Sequence, residues 1–376
     1  MTDSRGPAAL VKCLVWDLDG TLWRGTLADG DAGELAPAVL DVIRTLDRRG
    51  VLQSVASRND PDRARARLQR LGVADYLVLP RIGWAPKAES VRAIAAGLGV
   101  AEPALAVVDG QPGGCAEVAV HLPAVRCYPA RQVPALPSLP EFSPATVTPD
   151  GRRRRERYQA GFRREAARSG FPGPDAEFLR TLDLTMLIGA ATSADLPRVA
   201  ELTQRAGQLT ATGAPRAVAD LRAELADPRH LLLLVTMADR FGPHGTVGIA
   251  LLHRHRPAWH LTLLATTCRA VPFGTGPALL GWLLDRAAAA GVHLVADFRA
   301  TDRNGIMAAA YGSAGLVEQP CGCQAGLAAA EPGVRRLHVT PTRRDPPGTI
   351  RIRGADPGRS GPDGDLHREW MPAPAR

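Results

Sequence analysis

Two carboxylates, Asp17 and Asp19, follow the apolar run Leu14-Val15-Trp16 within Asp17-Leu18-Asp19-Gly20-Thr21. Acids at the end of a buried strand are costly unless a cation or a proton compensates them. A carboxylate can also attack phosphorus. The expected chemistry is therefore phosphoryl transfer. Asp17 forms an acyl phosphate, Asp19 protonates the leaving oxygen and then activates water, and Thr21 fixes the loop. Further along, Val51–Ala56 ends in Ser57, whose hydroxyl suits a phosphate oxygen. Lys87, in Ala85-Pro86-Lys87, stands just before a helical stretch and would neutralise Asp17 and the phosphoryl oxygens. Ala104–Val108 ends in Asp109. Asp17, Asp19 and Asp109 are the expected Mg²⁺ ligands, because this ion takes a few carboxylates together with waters and substrate phosphates. A lone Asp-x-Asp is more often just a turn. Four such elements in order, each at an element end, outweigh that reading.

The residues around these groups alternate between two patterns. Strand-like runs at Lys12–Trp16, Val51–Ala56, Tyr76–Leu79, Ala104–Val108 and Ala124–Tyr128 are separated by helical stretches at Pro37–Arg49, Pro61–Leu71, Lys87–Leu98 and Gly113–Val120. This alternation predicts an α/β fold with a parallel sheet covered on both faces. Ligands in such sheets bind beyond the carboxyl ends of the strands, where the acids fall. Residues 129–150 are Pro-rich and read as a stiff connector. From Thr185 a second α/β pattern begins, with strands at Thr185–Ala190, Leu231–Thr236, Thr246–Leu252, Trp259–Thr266 and Val292–Phe298 and helices at Asp195–Arg205 and Pro277–Ala289. The expected organisation is a first domain over 1–128, a linker and connecting helix over 129–184, a second domain over 185–320, and a disordered tail over 321–376. The tail expectation rests on its Arg, Pro, Gly and Asp content.

Composition narrows the function classes. The 376 residues carry a formal charge of +8, yet the basic residues cluster at Arg152–Arg155 and after Arg335 without interleaved aromatics. That is a solvated face rather than a nucleic-acid surface. Of 46 basic residues only Lys12 and Lys87 are lysines, so each marks a place where a compact point charge matters. No apolar run is long enough to span a membrane, and no apolar leader precedes Val11; a soluble, cytoplasmic protein is expected. The six cysteines give no two-pair zinc spacing, Cys321-Gly322-Cys323 being too tight, and each is expected to be a small buried hydrophobe.

Asp-x-Asp-Gly-Thr, a strand-end Ser, a Lys and a strand-end acid together resemble the haloacid dehalogenase (HAD) superfamily. The sequence departs from that pattern at Gly110, where relatives carry a second acid beside Asp109. Longer stretches between about residues 12 and 318 resemble the FkbH-like family, which joins a HAD domain to an acetyltransferase-like (GNAT-like) domain. They are Val15–Gly30 with its Leu22-Trp23-Arg24-Gly25, Ser57-Arg58-Asn59-Asp60-Pro61, Trp84–Glu89, Asp239-Arg240-Phe241-Gly242 with Gly245–Gly248, Thr267-Cys268-Arg269, and Asn304, Tyr311 and Gly315. Two departures lie in the second domain. Ala206–Thr210 stands where relatives have Thr-Asn-Gln-Phe-Asn. Arg269–Gly274 carries Pro272 and Phe273 where a pyrophosphate cradle needs free N–H groups.

The resemblance implies loading of a glyceryl unit from 1,3-bisphosphoglycerate onto the phosphopantetheine thiol of an acyl carrier protein, with loss of phosphate, for polyketide-type biosynthesis. Cys268 would accept the glyceryl group as a thioester, the adjoining Arg269 favouring its thiolate. Thr21, Ser57, Arg58, Asn59, Arg269 and Asn304 would contact substrate. Other readings stand beside this one: a Mg²⁺ phosphatase without acyl transfer, a non-catalytic carrier-protein scaffold, and, more weakly, a polynucleotide phosphatase.

Overall fold

A computed structural model describes residues 9–28, 33–144, 147–205, 209–302 and 304–358. The chain forms two compact units, Met1–Phe162 and Arg163–Arg376. Among the described residues no helix is long and apolar enough to cross a membrane.

In the first unit, β1 (Cys13–Trp16), β2 (Leu52–Ser57), β3 (Arg81–Ile82), β4 (Leu105–Asp109) and β5 (Arg126–Pro129) form a parallel sheet in the order β3-β2-β1-β4-β5. Helices α1 (Val39–Arg48), α2 (Pro61–Arg70), α3 (Lys87–Leu98) and α4 (Pro112–His121) alternate with the strands. Successive strand residues point to opposite faces. Leu14 and Trp16 pack with Ile43 and Leu46 of α1 and Leu68 of α2. Cys13 and Val15 pack with Val91 and Ile94 of α3 and Val118 of α4. Covered on both faces, β1 reads as an unbroken apolar run. Its central place sets the geometry of the site: Trp16 is in register with Val55 of β2 and Val108 of β4, so Asp17, Ser57 and Asp109 emerge together at the strands' carboxyl ends.

Two expectations for this unit need correction. The run Tyr76–Leu79 is no strand. A 3-10 turn occupies Ala74–Tyr76, Leu77 makes a single bridge to Gln53, and Leu79 adopts a φ of 50° that ends the extended run. The Pro-rich stretch is also not an extended connector. Residues Ala130–Ser138 form a 3-10 helix whose Val133 and Leu136, with Phe142, enter the first core. Arg49 Nη1 donates to the carbonyls of Pro137 and Phe142. Proline's fixed φ suits this geometry, and three apolar side chains spaced between prolines supply the burial. Short α5 (Pro149–Arg152) and α6 (Arg154–Ser169) follow, and the boundary between the units falls within α6.

The second unit contains α7 (Asp175–Thr181), β6 (Leu184–Ala190), α8 (Leu196–Arg205), α9 (Val218–Ala226), β7 (His230–Asp239), β8 (Gly242–Arg254), β9 (Ala258–Thr266), α10 (Thr275–Ala289), β10 (His293–Phe298), α11 (Gly305–Ser313), β11 (Arg335–Val339) and β12 (Ile350–Gly354). The sheet order is β11-β10-β9-β8-β7-β6-β12. Strands β6 to β9 pair antiparallel, whereas β9 with β10 and β6 with β12 pair parallel. The β7–β8 turn is organised by Asp239. Its carboxylate accepts from Phe241 N at 2.9 Å and Gly242 N at 3.2 Å, pairs with Arg164, and meets His244 Nε2 at 3.0 Å. Burial alone would raise this carboxyl; His244 and Arg164 instead hold it down at about 2.

The expected disorder after residue 320 is overturned over much of that segment. Strands β11 and β12 close the two edges of the second sheet, with Leu337 and Ile350 in its core. The composition conceals apolar residues, Leu337 and Val339 in β11 and Ile350 and Ile352 in β12, that alternate with the half-buried Arg336 and with the exposed Arg351 and Arg353. Charged, short edge strands of this kind deter further pairing. Residues 359–376 lie outside the described residues. Ending the chain before Arg335 removes both edges and the burial of Leu337 and Ile350, at ~1.5–3 kcal/mol each. A urea melt is expected to show a loss of about 3 kcal/mol or more, whereas an unchanged midpoint would mean the two strands hold nothing.

Candidate active site

The carboxyl ends of β1 and β4 present Asp17 and Asp109, and the first turn of α3 presents Lys87. Their exposures are 6%, 2% and 8%. Lys87 Nζ donates to Asp17 Oδ1 at 2.8 Å and also donates to Asp109 Oδ2. A cation at a helix N-terminus opposes the helix dipole, so the two acids, not the helix, hold it there. Glu117 of α4 fixes this end of α3: its Oε1 accepts from Ala88 N at 3.0 Å while its Oε2 pairs with the exposed Arg58 at 2.9 Å. Asp109 Oδ1 accepts from Gln111 N at 2.8 Å, so both Asp109 oxygens are engaged.

Asp17 is held more loosely. Its N–H donates to Val108 O at 2.9 Å, Ser57 hydrogen-bonds its carboxylate, and Thr21 Oγ1 lies 3.3 Å from Oδ2. Thr21 also accepts from Gly110 N at 2.7 Å. Oδ2 is thus the Asp17 oxygen that Lys87 does not take. Burial pushes the Asp17 carboxyl up, and Lys87 pulls it back only in part because Asp109 shares the same ammonium. Burial would lower the Lys87 ammonium, but the two carboxylates raise it above its ordinary value. Two anions against one cation leave a surplus negative charge in a buried place. Hard oxygen donors with that surplus fit a divalent cation held through Asp17 and Asp109.

The third expected metal ligand does not join them. Asp19 Oδ1 accepts from Trp23 Nε1 at 2.8 Å and Leu27 N at 3.0 Å, and Oδ2 accepts from Asn59 Nδ2 at 2.9 Å. Among the described residues, groups of three or more ligating side chains within 4.8 Å of one another do not include Asp17, Asp19 and Asp109. The Leu22–Leu27 loop turns the Asp19 carboxylate toward its own donors. Asn59, expected to touch substrate, is 5% exposed and orients Asp19.

The glycine beside Asp109 has a packing reason. A Cβ at Gly110 would lie 2.4 Å from Gly20 O and 3.1 Å from Thr21 Oγ1. The loop after Asp19 has closed against this position, leaving no room for the second acid.

In the second unit, Cys268 is exposed at the start of a 3-10 turn over Cys268–Phe273, just beyond β9. Arg269 is exposed beside it. The following run is not a free anion cradle. Ala270 N donates to Thr267 O and Gly274 N to Val271 O, Pro272 lacks an N–H, and Phe273 packs edge-on against His244. Asn304 was expected to bind substrate. It is 1% exposed, and its amide bonds Thr210 O, Arg299 O and Thr301 N. Its role is to secure a plug: β9 and β10 pair only from Ala258/His293 to Leu261/Ala296, and beyond this Ala211 N donates to Leu264 O while Arg299 N donates to Ala211 O. The segment thus fills the wedge between two diverging parallel strands. Residues 206–208 of the divergent stretch lie outside the described residues. The roles of Glu117 and Trp23 were not anticipated; an acid alone in a helical run carries no signal of its target.

No family model matches the chain, and no curated protein matches it. Among solved structures, the N-terminal part of protein BF1531 from Bacteroides fragilis, containing a phosphatase domain complexed with Mg, is 24% identical over 36% of this chain, with a TM-score of 0.34. The match spans only 42% of that structure's length. The ribosomal-protein-S18-alanine N-acetyltransferase of Escherichia coli is 19% identical over 43% of this chain and 96% of its own, with a TM-score of 0.32. Aminoglycoside acetyltransferase AAC(6')-Ib with coenzyme A is 16% identical over 41% of this chain and 94% of its own, with a TM-score of 0.31.

Two outcomes test this geometry. Asp17→Asn removes a carboxylate whose folded-state value is raised, which therefore weakens folding once it ionises. In metal-free buffer the variant is expected to be more urea-resistant than the parent at pH 7, with the gain vanishing below the carboxylate range, where Asp17 is protonated anyway. A variant less stable at pH 7 would contradict the charge surplus. Gly110→Asp is expected to lose about 1–3 kcal/mol by overpacking, read from the shift in denaturation midpoint; an unchanged midpoint would show that the Gly20 loop yields freely.

Proposed function

We propose that the first unit is a Mg²⁺-dependent phosphatase of the HAD type working through an aspartyl phosphate. The observation that carries this reading is the buried Asp17–Lys87–Asp109 group at the carboxyl ends of β1 and β4. Asp17 Oδ2 attacks phosphorus as the bond to the leaving oxygen breaks, and that oxygen takes a proton from Asp19. Water then gives a proton to Asp19 and attacks the same phosphorus, the bond to Asp17 breaks, and inorganic phosphate leaves. For the proton transfers Asp19 must exchange the Asn59 or Trp23 contact for the substrate oxygen. Lys87 and the Ser57 hydroxyl offset charge on the phosphoryl oxygens. Asp17 and Asp109 would hold the Mg²⁺, which supplies further charge neutralisation at the phosphoryl group.

The substrate we propose is 1,3-bisphosphoglycerate, with the glyceryl unit passed to an acyl carrier protein by way of Cys268. The exposure of Cys268 beyond the carboxyl end of β9 supports a thiol that a carrier's pantetheine arm reaches. Its sulfur, having lost its proton, attacks the acyl carbon, the acyl–phosphate bond breaks with release of inorganic phosphate, and a thioester forms; the phosphate monoester at the other end of the three-carbon unit is the one hydrolysed at Asp17. Exchange with the carrier thiol regenerates Cys268. The internally bonded turn after Cys268 favours a carrier-borne acceptor over free coenzyme A.

Incubation with Mg²⁺, 1,3-bisphosphoglycerate generated in situ and a holo-carrier protein, followed by intact mass measurement, separates the readings. A glyceryl adduct on the carrier is expected. Phosphate release without any adduct would leave only a phosphatase. Asp17→Asn should lower phosphate-monoester hydrolysis by about a thousandfold or more, and Cys268→Ala should remove the enzyme-bound adduct while sparing hydrolysis. Persistence of that adduct in Cys268→Ala sinks the thiol assignment.

A further inference from the structure

Four metal-ligating side chains converge in the second unit, away from Cys268. His293 opens β10, His338 lies in β11, and Cys321 and Cys323 lie between α11 and β11 around a 3-10 turn at Gly322–Gln324. One ligand atom from each lies within 4.8 Å of the other three. Cys323 and His338 are buried at 6% and 5% exposure, and Cys321 and His293 are half-buried.

The spacing matches a particular coordination. His293 Nδ1 is 3.0 Å from His338 Nε2 and 3.5 Å from Cys321 Sγ. A tetrahedral zinc with bonds of ~2.3 Å to sulfur and ~2.05 Å to nitrogen sets neighbouring S···N at about 3.6 Å and N···N at about 3.3 Å. His293 Nδ1 also faces two partners at once, although one nitrogen of a neutral imidazole either donates or accepts. A cation at the centre gives every lone pair a common target. Two thiolates and Zn²⁺ sum to zero charge with two neutral imidazoles, so the closed site places no net charge in the interior.

The sequence hides this arrangement because only half of it is local. Cys321-Gly322-Cys323 lacks ordinary zinc spacing, and the other two ligands arrive from neighbouring antiparallel strands, with Val295 in register with His338. The segment 318–334 between α11 and β11 holds little regular structure beyond that 3-10 turn, and long connections of this kind are uncommon in compact domains. Its small apolar contact sets Cys323 against Ala258 and Val295, with Cys321 and Leu327 beside them.

We propose that His293, Cys321, Cys323 and His338 bind one zinc ion in a closed structural site that fastens segment 318–334 to β10 and β11. Binding forms two Zn–S and two Zn–N bonds, and both thiols release their protons to solvent.

The full chain, produced with zinc and passed through gel filtration, is expected to carry one zinc per chain by elemental analysis. Cys321→Ser and Cys323→Ser should each lose it, while Cys127→Ser and Asp17→Asn should keep it, which separates this site from the phosphoryl-transfer group. Replacing zinc by Co²⁺ in the unaltered chain should give tetrahedral d–d bands with thiolate charge transfer, and this measurement stands even if a variant fails to fold. Chelation should expose segment 318–334 to protease. Zinc at background level in the unaltered chain would overturn the site, as would zinc retained in both Cys→Ser variants. So would a Cys321–Cys323 disulfide, seen as a mass deficit of two hydrogens in fresh protein.

Discussion

One ammonium between two buried carboxylates organises the first unit. Lys87 cannot leave without stranding Asp17 and Asp109 in a low-dielectric place, and removing the one cation from such a group, which leaves buried charge uncompensated, typically costs ~3–5 kcal/mol. The sheet order supplies the meeting: β1 lies between β2 and β4, and their registers bring Asp17, Ser57 and Asp109 to a common level. The arrangement is stable enough to form and still under-compensated by one positive charge. A divalent cation held through Asp17 and Asp109 would relieve that imbalance, so the same electrostatics that weakens folding favours a bound metal.

Much of this was legible in the chain itself. Strand-end acids, a lysine surviving in an arginine-rich background, and alternating apolar and helical runs give β1, β2, β4 and α3 nearly to the residue. What escaped was side-chain direction. Asp19 and Asp17 sit two residues apart, yet the loop after Gly20 turns Asp19 toward Trp23, Leu27 and Asn59. Spacing cannot reveal that turn, because it depends on which backbone N–H groups the loop leaves open. The edge strands escaped for another reason: Arg-rich composition weighs charge content, whereas pairing depends on whether the charges fall on alternate residues.

The second unit shows that motif-like residues need not be ligand sites. Asp239 and Asn304 both fall in stretches that the sequence reading singled out, and both spend their polar atoms on the chain. One ties a hairpin turn to Arg164 and His244; the other locks a plug between β9 and β10. Both side chains are committed to the fold. Exposure distinguishes Cys268 from them, since the residue is exposed at the start of the turn that follows β9.

The close approach of Gly110 to Gly20 also couples two positions that lie far apart in the chain. A β-carbon at 110 and the Gly20 carbonyl claim the same volume, so any side chain there requires the loop after Asp19 to shift. The residue beside Asp109 and the path of the loop after Asp19 are therefore one structural choice rather than two, and a larger group at 110 would carry the surroundings of Asp19 with it.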